Sequence, residues 1–287
     1  MLELRNFIDT HVHLWDLNNE YPWIQNNNNK DLKQNYLIQD LMRDANTLPL
    51  KKIVHVQAEI NEKNKIMETE WLQNLSDLHP LGFPNAIVGF VNLLDPLAEK
   101  DIEAHQRFKN FRGIRQILKS KDDHSDLLLN NLWVKNFNLF KKYDLSFDIL
   151  IYYSQYKQAI NLIKKFPSVQ FIVNHCLWPE ESIEDFDSWK IAIKEISECE
   201  NTSIKISGFG EWKTNWSRNF ISDYIKITID NFGTKRCMFA SNFPVDKFIS
   251  HSSYNSFWSA YFEIISNLST NEIDDLLMKN AEHYYKI

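Results

Sequence analysis

Residues 8–16 read Ile-Asp-Thr-His-Val-His-Leu-Trp-Asp, a β-branched run that turns polar at its end. Successive side chains on a strand point to opposite faces, so His11 and His13 share one side. Two imidazoles one residue apart can grip a single metal ion or a developing oxyanion. On an isolated surface strand the same pair is only two hydrogen-bonded histidines. The kind of sheet that this strand opens therefore decides its meaning.

Residues 7–13 form the first of eight apolar runs, followed by 52–58, 86–92, 113–117, 145–151, 169–175, 202–207 and 237–242. Polar or amphipathic stretches separate them, as crossover helices separate the strands of a parallel sheet. Residues 62–78, 132–143, 155–166, 188–199 and 218–232 carry apolar side chains at helical spacing. A last helix is expected over 270–285, capped by Ser269 or Thr270, with Glu272 and Asp274 near its positive end. Eight strands with intervening helices predict an α/β fold, a single (β/α)8 TIM barrel, with residues 1–287 as one domain. No linker rich in Pro, Gly or Ser divides the chain. A doubly wound nucleotide-binding sheet is disfavoured: no GxGxxG or Walker motif exists, and residues 11–15 occupy the place of its phosphate turn.

A net charge of −6 without a dense Lys/Arg stripe argues against nucleic acid as a partner. No apolar run approaches the roughly 18 residues of a membrane helix, and residues 1–7 lack the form of an export signal. The three cysteines, Cys176, Cys199 and Cys237, have no CxxC spacing and fit a reducing cytoplasm. Residues 26–29, all Asn, read as an exposed loop. A small-molecule substrate is the expected partner, and symmetry statistics favour a homodimer.

In such a barrel, chemistry gathers where strands end. A third histidine, His175, ends the sixth run, and Asp9 precedes the first pair. His55, Gln57 and Glu59 share one parity at the second strand, which puts Gln57 and Glu59 on a cavity wall and His55 either there or in the core. Lys205 and Ser207 on strand seven either meet substrate or build the rim, and Gly208 and Gly210 would let backbone approach a ligand. Gln155 and Tyr152 are candidate ligand contacts. Trp15, Trp178, Trp212 and Phe243 are candidate aromatic walls or loop packing. His79, His105, His124, His251 and His283 are assigned no chemistry.

The stretches IDTHVHLWD from Ile8, FRGIRQIL from Phe111, VNHCLWP from Val173, IKISGFG from Ile204, MFASNFPVD from Met238 and NAEHYY from Asn280 together resemble the amidohydrolase superfamily. The resemblance is to its amidohydrolase-2 branch, which includes sugar lactonases, sulfomuconolactonase-like enzymes and 2-pyrone-4,6-dicarboxylate hydrolase, and it runs nearly the whole length. It implies that His11 and His13 lie at the site floor, that His175 contacts substrate or metal, and that Arg115 faces a substrate carboxylate or lactone oxygen. A guanidinium fork suits that last role because it recognises a planar carboxylate bidentately; Arg112 competes for it.

Two departures bear on mechanism. Asn242 stands where many relatives have an aspartate base, and an amide cannot take the proton; Asn242 would orient water or an oxyanion, and Asp246 or a histidine would act as base. Leu177 replaces the glycine usual in the histidine loop. Strand four carries Arg115 and strand five Asp148, so a second metal has no ligands. The cofactor is either one divalent ion, zinc or manganese, held by His11, His13 and His175 or Glu59, or none. The expected activity is hydrolysis of a lactone or related cyclic ester of a small carboxylate or sugar acid. Non-oxidative decarboxylation of an unsaturated or aromatic acid, and binding of a small acid without turnover, are the alternatives.

Overall fold

The computed structural model describes residues 4–26, 30–118, 130–179, 185–250 and 252–287. Residues 27–29 of the expected loop, with His124 and His251, lie outside the described residues. Eight parallel strands follow one another around the sheet in sequence order: β1 Phe7–Val12, β2 Leu50–Val56, β3 Ala86–Gly89, β4 Phe111–Ile117, β5 Ser146–Leu150, β6 Phe171–Val173, β7 Thr202–Ile206 and β8 Cys237–Phe239. The ring closes through a parallel bridge between Val12 and Phe243, where the His13 amide donates to the Phe243 carbonyl at 2.7 Å, and through Thr10 Oγ1, which donates to the Phe239 carbonyl at 2.9 Å. The eight apolar runs therefore build a (β/α)8 barrel, and helices cover its outside.

The interior is layered. Ile8, Val54, Val56, Ala86, Val88, Ile172 and Met238 form an apolar floor, closed beneath by Ala281 and Tyr285 of the C-terminal helix Asn280–Tyr285. That helix belongs to a helical stretch beginning at Thr270, where Ser269 caps the first turn and Glu272 reaches back to the Ser269 amide. Next comes a buried polar set. Lys205 Nζ lies 2.6 Å from Asp148 Oδ1 with both side chains at 0% exposure, and Asn174 Nδ2 and the Tyr285 hydroxyl donate to the same carboxylate at 3.0 and 3.2 Å. Such a buried pair is tolerable only when its remaining lone pairs are satisfied. His11, the side chain that adjoins Lys205, begins the layer that opens toward the C-terminal ends of the strands.

Strand β1 is irregular, its pairing with β2 shifting between Asp9 and Val12. Asp9 consequently lies at the β1–β8 seam, where its carboxylate accepts from the Ser241 amide at 3.0 Å, the Ser241 hydroxyl at 2.5 Å and the Tyr254 hydroxyl at 2.9 Å. No described helix is long and apolar enough to cross a membrane.

Candidate active site

His11 and His13 converge, their Nε2 atoms 3.1 Å apart. His13 Nδ1 is 2.8 Å from the Val56 carbonyl oxygen. A carbonyl only accepts, so His13 carries its proton on Nδ1 and presents a lone pair at Nε2. His11 must then donate from Nε2, which leaves its buried Nδ1 without a partner. Burial pulls both imidazoles well below their usual range, helped at His11 by the Lys205 charge and at His13 by Arg115; both are neutral at pH 7. His175 completes the cluster, its ring centroid 4.4 Å from that of His11 and its Nδ1 2.8 Å from Ser207 Oγ. His13 and His175 line a cavity of about 320 Å³, whereas His11 lies behind its wall.

The turn that presents His175 is strained. Residues 175–178 take φ values of 54, 50, 61 and 38°, a conformation that costs side-chain-bearing residues on the order of 1 kcal/mol or more each and concentrates at functional sites. Gly208, at φ 85°, packs against it so closely that a Cβ there would sit 2.7 Å from His175 Cβ. A Cβ on Gly210 would meet the Asp246 carbonyl at 2.5 Å. These glycines admit protein, not ligand, which corrects the expectation drawn from sequence. Leu177 is buried and does not line the cavity.

Arg115 reaches the cavity from β4 and donates from Nη2 to the Gln57 carbonyl at 2.6 Å. Its buried Nε has no partner, so the fork retains an unused donor. Across the same cavity stand Asn242 and Glu211. Asn242, at φ 52°, donates from Nδ2 to Asp246 Oδ1 at 2.7 Å and to Glu211 Oε2 at 3.3 Å. Two carboxyl acceptors fix the amide's orientation and turn its Oδ1 away from them. Asp246 is fully buried behind Asn242, with Oδ2 accepting from the Gly210 amide at 3.1 Å. Burial, and then the Glu211 charge, push its carboxyl well above the usual range.

Other expected residues stand elsewhere. Lys205 is committed to Asp148 below the histidines and does not line the cavity. Gln155 is spent at a helix start, accepting from the Tyr152 amide and donating to the Leu118 carbonyl, both at 2.9 Å. Tyr152 packs against the hydrophobic core. Trp15 is fully buried, its indole N–H donating to the Gln34 carbonyl at 2.6 Å. His55 faces Glu68 on the helix Lys65–Leu78. Arg112 is spent on the Lys109 and Phe111 carbonyls. Gln57 and Glu59 do reach cavity walls.

Glu211 and Trp23 are among the cavity residues that escape a reading by strand ends. Glu211 lies on a single helical turn, Phe209–Trp212, after β7, and Trp23 on a turn, Pro22–Gln25, in the loop after β1. Strand periodicity says nothing about such loops; the glycine pair before Glu211 was the available signal.

The cluster offers a metal two converging nitrogens. Among the described residues no three His, Cys, Asp or Glu side chains are grouped to hold an ion, and Glu59 stands on an exposed rim. A catalytic zinc takes three protein ligands, so the four residues expected from sequence do not assemble into its site, and His11 and His13 instead satisfy one another.

Comparison with known proteins agrees with this architecture. The chain is 35% identical to an uncharacterised protein, y4mH, of Sinorhizobium fredii, over 98% of each chain. It is 23% identical to an L-fucono-1,5-lactonase of Burkholderia ambifaria, over 98% of this chain and 95% of that one. A crystal structure of an amidohydrolase from Burkholderia multivorans with bound zinc superposes with a TM-score of 0.86 at 22% identity, covering 99% of this chain and 100% of that one. The family model described as Amidohydrolase matches residues 8–287, and the chain belongs to that family.

Proposed function

We propose that this protein opens a lactone of a small hydroxylated or carboxylate-bearing acid by attack of water. One observation carries the reading: a guanidinium with an unused donor, Arg115, and a carboxylate, Glu211, share the wall of one cavity of about 320 Å³ with His13, a neutral imidazole, and His175. Arg115 polarises the carbonyl and stabilises the oxyanion, which matters more in a confined site than in water. Asn242 Oδ1 accepts one hydrogen of the attacking water, and Glu211 removes the other proton as the water oxygen bonds to the carbonyl carbon. The tetrahedral intermediate collapses with cleavage of the bond to the ring oxygen, which recovers the proton from Glu211. The product is the open hydroxy acid. Asp246 positions Asn242 and takes no proton from water. The lactonase named among the relatives, and a second L-fucono-1,5-lactonase from Burkholderia multivorans at 24% identity, support the same reading.

Acid release from a panel of 1,4- and 1,5-aldonolactones and pyrone dicarboxylates tests it. Turnover is expected on at least one sugar lactone, with Glu211→Gln lowering kcat by about a hundredfold or more. No acid from any member overturns the reading, and carbon dioxide release from aromatic acids would put decarboxylation in its place. The same preparations are expected to keep activity after chelation, because no three His, Cys, Asp or Glu side chains among the described residues are grouped to hold an ion.

A further inference from the structure

A second cavity, of about 470 Å³, adjoins the first and shares Trp23, Glu59 and Ile117 with it. Trp23 is fixed as the common wall by its indole N–H, which donates to the Ala58 carbonyl at 2.6 Å. Beyond it the outer cavity is walled by Gln57, Glu62, Phe90 and Gln116, among others.

The amides there are half used. Gln57 is 2% exposed; its Oε1 accepts from the Glu59 amide at 2.6 Å, and its Nε2 meets no acceptor among the described residues. Gln116 Oε1 accepts from the Trp133 indole at 3.2 Å, which orients that amide and likewise leaves Nε2 without an acceptor among them. The Glu59 carboxylate, on a residue held at φ 55°, lies on the same wall. Unused N–H donors and carboxylate acceptors thus face one space. An ammonium would satisfy the carboxylates but confront the amide donors, and an anion would do the reverse. A hydroxyl donates and accepts, so it suits both, and the rings of Trp23 and Phe90 offer apolar faces for the carbons between hydroxyls.

We infer that the outer cavity is a subsite for a second hydroxylated ring, which makes the substrate a sugar lactone bearing a glycosyl substituent. This rests on the lactone reading for the inner cavity.

Calorimetric titration with open-chain acids tests the subsite without turnover: gluconate against maltobionate, cellobionate and lactobionate. At least one disaccharide acid is expected to bind about tenfold tighter than gluconate. Gln116→Glu, which keeps the acceptor for Trp133 and removes the free donors, is expected to erase the difference. Equal affinities for all four on the parent protein overturn the inference, whether or not the variant folds. Turnover of the corresponding lactones separates the two readings. Simple lactones opened with no preference for extended ones would sink the subsite alone, whereas tighter disaccharide-acid binding with no lactone opened would sink the ring-opening chemistry and leave the subsite.

Discussion

Asn242 gives Asp246 Oδ1 a 2.7 Å hydrogen bond, and through the other amide hydrogen it reaches Glu211 at 3.3 Å. One neutral side chain thus separates a buried carboxyl from the carboxylate proposed as base. Replacing it with a third carboxyl changes the electrostatics in a known direction: adjacent acids resist joint ionisation and raise the pKa at which the group as a whole loses protons. Asn242→Asp is expected to move the acid limb of the kcat/KM profile upward by about one pH unit. An unchanged limb would show that Glu211 is not the group that must ionise.

Gly208→Ala probes the contact between the β7 loop and His175. The added Cβ would lie 2.7 Å from His175 Cβ and would occupy φ 85°, so both steric and conformational costs apply. We expect a loss of about 2–3 kcal/mol in unfolding free energy and a fall in activity larger than that stability loss accounts for, because the histidine must move. Urea unfolding and kinetics on the same preparation decide it; full activity in a destabilised variant would show that the position of His175 is not critical.

Lys205→Met separates a structural from a substrate-binding lysine. It leaves Asp148 with the Asn174 and Tyr285 donors but no cation, and breaking a buried pair costs about 3–5 kcal/mol. The expected signature is a large drop in Tm with KM little changed. A raised KM at unaltered stability would return Lys205 to the substrate.

The barrel was legible because each strand is a short apolar run bounded by polar residues, and burial on both faces makes such runs nearly continuous. The strand ends also told much: His13, His175, Arg115 and Asn242 line one cavity. Alternation failed where geometry departs from it. The irregularity after Asp9 puts that carboxylate at the seam although it is two residues from His11, and His55 faces Glu68 on the outer helix layer despite sharing parity with Gln57. Lys205 was read as a substrate contact or part of the rim because a sequence does not show how deep a strand residue sits; its partner Asp148 arrives from another strand. Asp246 looked like a base because a carboxylate was missing at residue 242. The structure spends it on Asn242 and the Gly210 amide.

Behind His13 lies a pair that looks ionic and is not. His55 Nδ1 accepts from the Leu14 amide at 3.2 Å, so its proton sits on Nε2, 3.9 Å from Glu68 Oε1. That distance is too long for a hydrogen bond. Burial drops His55 to about 3 and lifts Glu68 to about 7, which leaves both neutral in mildly acidic solution. The folded Glu68 carboxyl keeps its proton up to about pH 7, whereas the unfolded chain releases it near 4.5. Between those values the native state binds more protons than the unfolded state, so this group's contribution is fully present below pH 4.5 and is lost as pH rises through 7. The neighbouring histidines act in the opposite sense, so total stability does not isolate the effect; the difference from Glu68→Gln does. Glutamine keeps the acceptor for the Ala58 amide, now 3.0 Å from Glu68 Oε1, and does not titrate. Denaturant unfolding at about pH 4 and about pH 8 is expected to show the parent losing roughly 3 kcal/mol relative to the variant. A difference that stays constant with pH would mean that Glu68 ionises as readily in the folded protein as in the unfolded chain, and that water reaches it.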